Sequence, residues 1–406
     1  MHPYSVYIHV PFCRKRCTYC DFNTYAGRES LIPEYCSALI QEIMFLKKET
    51  EKIFPVHSIY FGGGTPSLLL PDQLGKVLSV LDTTFSLAPN IEITLEANPG
   101  TLSLTYLRDI YALGINRISL GMQTAIPREL LLLGRQHDYP DVIQSIQWAR
   151  QAGFKNISLD LIFGLPDQSL STWEHSLALA LGFGLEHFSI YALTIEEGTV
   201  IHNWANRGLI SLPDPDLAAD MYESASIQFE QAGYQQYEIS NWAWNNDKGF
   251  PSEGGLQRSG FLKFSCLHNL QYWRNLPYLG LGAGAHGFID GVRTVNVNSP
   301  NEYIRRFSGR HVSSGDIFPK TPATLEMNLI DRDTEMRETM MMGLRLTQEG
   351  VSGRSFQLRF GVALAERFGT EINQLVHWGL LEWAGDVLRL TPRGRLLGNQ
   401  VFIEFV

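Results

Sequence analysis

Cysteine is scarce in this chain, positive charge is outweighed, and no apolar run is long. Five cysteines in 406 residues cannot staple a fold of this size, and three of them are crowded together at positions 13, 17 and 20. A disulfide framework spreads its cysteines so that each bridge closes a loop. Clustering this tight reads instead as reduced thiolates on a metal. Lys and Arg number 33 against 42 Asp and Glu, a formal charge of −9. That balance argues against a protein that coats nucleic acid, though not against a local basic patch. No stretch approaches the roughly 18 apolar residues of a membrane span, so no integral membrane segment is expected. The N-terminal segment also lacks the basic, apolar and small-residue succession of a secretory signal. A cytoplasmic protein is the expectation.

What is present is enough apolar material, 44% of the chain, for one large core and a smaller one. Up to about residue 200, β-branched apolar runs at 4–10, 57–61, 91–95, 116–121, 156–163 and 187–193 alternate with amphipathic stretches. The stretches 33–48 and 71–82 each open on a proline, Pro33 and Pro71, suited to a first helical turn. Strands separated by helices imply parallel pairing through crossovers, so the fold class is α/β, with six units forming a partial barrel or an open sheet. Pro213-Asp214-Pro215 breaks the pattern, and 216–232 reads as a further helix. Short mixed segments follow to about 320, with a polar, Gly- and Ser-rich insert near 245–264. A helical run from Thr334 to Leu346, and then a helix, a Gly379 turn and two short strands within 371–391, resemble a winged helix. The expected domains are 1–212, 213–330 and 331–406.

Cys13-x3-Cys17-x2-Cys20 places three thiolates on one short loop after the first strand. A cubane cluster has four irons, so three thiolates leave one open, and an open position is where a metal site binds and activates something. Tyr7, His9, Pro11, Phe12, Tyr19 and Phe22 around it are mostly apolar or aromatic, a wrapping that limits water and tunes potential. The alternative is a structural zinc site, which usually pairs two Cys-x2-Cys knuckles or adds histidines. Cys36 falls on the apolar stripe Cys36, Leu39, Ile40 and Ile43 of a predicted helix and reads as core packing. Cys266 fits no pattern.

The segment Tyr7-Ile8-His9-Val10-Pro11-Phe12-Cys13-x3-Cys17-x-Tyr19-Cys20 resembles the radical S-adenosylmethionine (SAM) proteins related to the oxygen-independent coproporphyrinogen oxidase. The resemblance covers nearly the whole chain, most strongly from Tyr4 to about Thr199. It implies a (β/α)6 radical-SAM barrel with a small C-terminal domain, and a 4Fe–4S cluster on Cys13, Cys17 and Cys20 whose open iron chelates the amino and carboxylate groups of SAM. The reduced cluster in that superfamily cleaves the sulfonium bond to a 5′-deoxyadenosyl radical. Gly62-Gly63-Gly64-Thr65-Pro66 at the end of the second strand is by itself compatible with a plain strand–helix turn. Beside the cysteines it resembles the family segment that holds the methionyl amino group. Glu96-Ala-Asn98-Pro99 ends the third strand, Gln123 ends the fourth and Asp160 lies in the fifth, with Arg135 in the connection between strands. Taken singly they are capping or surface residues. Together, at the mouth of parallel strands where barrels bind ligands, they resemble the family's SAM contacts: Tyr7, Gly63, Gly64, Thr65, Glu96, Gln123, Arg135 and Asp160. The arginine fork suits the methionyl carboxylate, and an acidic residue suits ribose hydroxyls or the adenosyl side.

His268-Asn269-Leu270-Gln271-Tyr272-Trp273 reads on chemistry alone as a hydrogen-bonded histidine beside an aromatic core, or as an axial imidazole with an apolar wall for haem. The HNxxYW pattern resembles the haem-chaperone branch of the family, which implies haem as a ligand with His268 as its candidate ligand. Gly282-Ala283-Gly284-Ala285-His286 resembles a shared family loop, and His286 is expected to be structural or to line the site. Two departures separate this chain from the decarboxylating enzyme. Phe22 stands where that enzyme has a further cysteine, and only twelve residues precede Cys13. The leading expectation is a chaperone that delivers haem to apo acceptor proteins, served by a reducing donor such as a flavodoxin or ferredoxin. The second is oxidative decarboxylation of coproporphyrinogen III. A third, a nucleic-acid reader built on the terminal domain, is weak because Asn373 to Trp378 carry no lysine or arginine.

Overall fold

The computed structural model describes residues 3–49, 54–245, 262–308 and 318–406. Most of the polar insert near 245–264 therefore lies outside the described residues. Two compact units are formed, one from residues 1–222 and 277–329, the other from 223–276 and 330–406.

The first unit is built on six parallel strands, β1 (Tyr4–Val10), β2 (Pro55–Gly63), β3 (Ser86–Ala97), β4 (Arg117–Gln123), β5 (Ile157–Phe163) and β6 (His187–Ala192). Each pairs with the next in sequence order, and β6 does not return to β1. A doubly wound sheet reverses direction beside its first strand. Here every crossover runs the same way, the order of a βα barrel left open. Helices α1 (Ile32–Glu49), α2 (Pro71–Thr84), α3 (Leu104–Ala112), α4 (Pro127–Leu132), α5 (Tyr139–Ala152) and α6 (Leu170–Leu181) fill the crossovers. Helix α1 turns Tyr35, Cys36, Leu39, Ile43 and Leu46 inward, the expected i, i+3, i+4 stripe, so Cys36 is core. Among the described residues no helix is long and apolar enough to cross a membrane.

The segment read as short mixed pieces extends this sheet. β7 (Tyr278–Leu281) pairs parallel to the free side of β1, and β8 (His286–Ile289), β9 (Val292–Asn296) and β10 (Thr324–Leu329) follow antiparallel. The Asp290-Gly291 turn between β8 and β9 has positive φ at both residues, 50° and 76°, as a two-residue hairpin of right-twisted strands requires.

The second unit holds an antiparallel hairpin, Tyr234–Glu238 and Asn241–Trp244, and the helix Leu267–Trp273. It also contains the helices Arg332–Gly343, Gly353–Phe360 and Leu364–His377, with a small sheet of Val351–Ser352, Val387–Leu390 and Leu381–Ala384. Met340, Phe356, Phe368, Leu375, Leu388 and Phe405 form its core. Helices closed by a hairpin give the winged-helix-like outline expected from the sequence, and Gly379 makes its turn at φ +68°. Cys266 is buried just before Leu267–Trp273, its N–H donating to the Tyr237 hydroxyl at 3.2 Å.

Candidate functional site

After β1, the pairs Phe12–Cys13 and Tyr25–Ala26 form a short parallel bridge, and the Tyr25 N–H donates to Pro11 O at 2.7 Å. The bridge closes the cysteine loop on itself. Cys13 is buried and Cys17 and Cys20 are half-buried, while Arg14, Lys15 and Arg16 between them are exposed. Thr18 anchors the loop to the end of α4: its N–H donates to Leu133 O at 3.1 Å and its Oγ1 to Leu132 O at 2.7 Å. Burial pushes the Cys13 thiol up to about 11, against the opposing pull of the Thr65 hydroxyl, and raises Cys20 as well. Such thiols are neutral at pH 7 unless a metal displaces the proton. Among the described residues no three His, Cys, Asp or Glu side chains stand close enough to hold a single metal ion. The donor set fits a cubane: three thiols without a fourth ligand, a donated hydrogen bond on Cys13 and a cation on Cys17.

The glycine segment at the end of β2 lies directly on this loop. Gly64 N–H donates to Val10 O and Thr65 N–H to Phe12 O, both at 2.8 Å. A Cβ on Gly64 would stand 2.6 Å from Phe12 O, and one on Gly63, at φ +110°, would enter the His9 ring. Glycine is needed here because two backbones approach closely. Thr65 is buried and its Oγ1 lies 3.6 Å from Cys13 Sγ.

The other predicted residues converge on the same mouth. Glu96 accepts from the Tyr60 hydroxyl at 2.8 Å and from Gly63 N–H at 3.2 Å. Desolvation of its carboxyl, with the Asp160 charge adding to it, raises Glu96 to about 7 against the pull of those two donors. Asp160 accepts two contacts from Ser119 Oγ at 3.0 and 3.2 Å, and desolvation raises it too. Arg135 donates to Cys17 Sγ at 3.5 Å and to Asn98 Oδ1 and Gly121 O at 2.7 Å each. Gln123 sits at φ +68° on the edge of this group. A Cβ on Gly121 would lie 2.6 Å from the Gln123 amide and 2.7 Å from the Arg135 guanidinium, so that glycine makes the room both need. Tyr7 Oη lies 3.0 Å from His9 Nδ1, and His9 Nε2 lies 2.9 Å from Asn23 O. Because the Asn23 carbonyl only accepts, Nε2 carries the proton and Nδ1 accepts from Tyr7.

The Gly282–His286 loop buttresses the site from behind. Asn23 Nδ2 donates to Ala283 O at 3.2 Å, and a Cβ on Gly284 would collide with that amide. Gly282 N–H donates to Glu42 at 2.9 Å and Ala283 N–H to the Tyr35 hydroxyl at 2.8 Å. His286 itself is exposed. His268 belongs to the second unit, where it is buried with Nε2 2.9 Å from the Tyr272 hydroxyl. Trp273 lies beneath the Arg345 guanidinium, 4.3 Å from ring centroid to Cζ. Thr18 and Asn23 are not among the residues expected from sequence, and His9, expected only as part of the wrapping around the cysteines, is hydrogen-bonded to Tyr7 and Asn23. Asn98 carries a visible signal, the Glu-x-Asn-Pro at a strand end, whereas Thr18 has no local one.

An open six-stranded βα barrel with three cysteines after its first strand defines a radical-SAM-type protein. Residues 7–180 match the Radical SAM superfamily and residues 330–397 the HemN C-terminal domain. The chain is 38% identical over 403 residues to the heme chaperone HemW of Bacillus subtilis, covering 99% of both. It is also 38% identical to the heme chaperone HemW of Synechocystis, covering 85% of this chain and 78% of that one. The solved structure of Escherichia coli coproporphyrinogen III oxidase, HemN, a radical SAM enzyme, superposes with a TM-score of 0.79 at 22% identity, covering 99% of this chain and 90% of that chain. The chain belongs to the HemW family of radical SAM proteins.

Proposed function

We propose that this protein is a haem-binding chaperone that delivers haem to apo acceptor proteins and carries a SAM-coordinated 4Fe–4S cluster on Cys13, Cys17 and Cys20. Haem delivery is supported by likeness along the full chain to relatives named heme chaperones. Phe22, exposed beside Cys20, stands where the decarboxylating enzyme has a further cysteine, which favours the chaperone over that enzyme. The cluster and SAM reading is carried by one observation: Cys13, Cys17, Glu96 and Arg135 meet at the mouth of the barrel.

When bound, the cluster supplies an open iron for the amino and carboxylate groups of SAM, and an electron from a flavodoxin- or ferredoxin-like donor. The residues of the chain do the rest. An amine whose lone pair is on iron only donates through its N–H groups, and Gly63 N–H is already given to Glu96, so the acceptor offered to that amine is the Glu96 carboxylate. Arg135 offers its fork to the methionyl carboxylate. Asp160 and Gln123 face the ribose side, and Tyr7 closes the wall. His268 is the proposed haem ligand, with Tyr272 and Trp273 as the flat wall.

The test is an anaerobic haem titration with transfer to an apo acceptor, run beside a coproporphyrinogen turnover assay on the reconstituted chain. Haem uptake and transfer without turnover is the expected result. Decarboxylation without haem retention would replace this reading with the enzyme.

A further inference from the structure

Asn98 lies between the two cysteine contacts of the barrel mouth. On one side Arg135 Nη2 donates to Asn98 Oδ1 at 2.7 Å, and Arg135 Nη1 reaches Cys17 Sγ at 3.5 Å. On the other side Asn98 Nδ2 lies 3.0 Å from Thr65 Oγ1, which reaches Cys13 Sγ at 3.6 Å. The arc Cys17–Arg135–Asn98–Thr65–Cys13 thus joins two of the three thiols through side chains from three separate strand ends and connections.

The polarity of this arc is fixed at one point. A guanidinium has donors and no acceptor, so the amide oxygen of Asn98 must face Arg135 and its NH2 must face Thr65. The Thr65 hydroxyl therefore accepts from Asn98, and its single proton is left for Cys13. Exchanging the amide oxygen and nitrogen would set donor against donor at Arg135 and free the Thr65 proton to turn away from the sulfur.

We infer that Asn98 is a positioning residue that aims two donors, the Thr65 hydroxyl and the Arg135 guanidinium, at the sulfurs of Cys13 and Cys17, and so raises the reduction potential of the cluster they hold. The inference rests on the reading of the three cysteines as cluster ligands. A cluster that accepts an electron places more negative charge on its thiolates. Donors and cations beside those sulfurs stabilise the reduced form more than the oxidised one. Cys13 and Thr65 are both buried, where a hydrogen bond is screened least. Neither contact needs SAM in place.

The test is a dithionite-poised redox titration of the full, anaerobically reconstituted chain without SAM, followed by electron paramagnetic resonance. Asn98→Asp keeps the shape and the acceptor for Arg135, but it cannot donate to Thr65, whose hydroxyl then donates to the carboxylate instead. With wild-type iron content, the variant should be at least tenfold harder to reduce, a midpoint more negative by about 59 mV for one electron. The added charge pushes the same way, so Thr65→Val separates the two effects. In that background Asn98→Asp should shift the midpoint distinctly less. An unmoved midpoint in Asn98→Asp, or the same full shift in both backgrounds, overturns the inference. If Asn98→Asp takes up less iron, the shortened Asn98→Ser is read in the same two backgrounds by the same criteria. A wild-type chain that takes up no cubane would defeat the ligand reading and this inference together. Full loading with unshifted variants defeats this inference alone.

Discussion

His268 Nε2 lies 2.9 Å from the hydroxyl of Tyr272, one turn further along the same helix, with the two rings edge to face at 5.0 Å. The imidazole is buried and engaged, so haem ligation through His268 Nε2 must displace a hydrogen bond worth about 1 kcal/mol. Tyr272→Phe removes that competitor and should strengthen the imidazole-type Soret signature by up to about fivefold in apparent affinity. His268→Ala should alter the spectrum and slow transfer to an apo acceptor, while His286→Ala behaves like wild type. The reverse pattern would move the haem site to the Gly282–His286 loop, where the imidazole is already exposed.

Anaerobic reconstitution should give about four irons and four sulfides per chain. Alanine at Cys13, Cys17 or Cys20 should abolish a stable cluster. Alanine at Cys36, on the inner stripe of α1, or at Cys266 should leave iron content unchanged, as measured by colorimetric iron and sulfide analysis. A requirement for either of those two would refute the ligand assignment.

SAM should perturb the spectrum of the reduced cluster, and Arg135→Ala should weaken SAM binding about tenfold or more, the loss of a charged hydrogen bond of about 1.5–3 kcal/mol. Arg135→Lys keeps the charge but cannot span Asn98, Gly121 O and Cys17 at once, so it should recover only part of the affinity. Equal affinities in all three proteins by isothermal titration would leave Arg135 a purely structural residue.

Glu96 sets a pH dependence with a definite sign. Its carboxyl is raised to about 7, so between the ordinary carboxylate range and 7 the folded chain holds a proton that the unfolded chain has lost. The apo chain gains stability from this group at low pH, and the gain fades as pH rises through 7. SAM binding needs the carboxylate and should strengthen over the same interval. Glu96→Gln should flatten both profiles, read by thermal melts and SAM titrations between pH 5 and about 8. A stability profile unchanged in Glu96→Gln would contradict the assignment.

Glu42 on α1 is buried and accepts from Gly282 N–H, Asn296 Nδ2 and Thr321 Oγ1 at 2.9 Å each and from the Tyr303 hydroxyl at 2.6 Å. Glu42→Ala leaves four buried donors without their acceptor and should cost at least about 3 kcal/mol by denaturant unfolding. Gln41→Ala, on the exposed face of the same helix, should stay within about 0.5 kcal/mol.

Much of the fold was legible because local pattern and global fold agree. The six apolar runs became β1 to β6 within a few residues of the expected ends, and Pro33 and Pro71 stand in the first turns of α1 and α2. The run from Tyr278 to Leu329 shows little strand pattern in sequence, although Asp290-Gly291 between apolar segments is a hairpin signal. Its strands are short, and β7 finds its partner in β1, more than 270 positions away; no periodicity announces such a pairing. Division into contiguous stretches is also all that reading along a chain can offer, whereas each compact unit here is assembled from two separated segments.

The chemistry on offer is legible along the chain: three thiols at one spacing, glycines where a strand ends, and a few charged residues in or after successive strands. Those follow from residue type and short-range spacing, which the chain carries locally. What these groups do to one another follows from packing in three dimensions. Arg135 turns to Cys17, Thr65 to Cys13, and Asn98 stands between them with its amide oxygen on Arg135 and its NH2 on Thr65, because parallel strands bring their carboxyl ends to one mouth however far apart they lie in sequence. Thr18 and Leu132 stand 114 positions apart and share a hydrogen bond of 2.7 Å. Hydrogen-bond polarity depends on which donor meets which acceptor, and that is settled by packing.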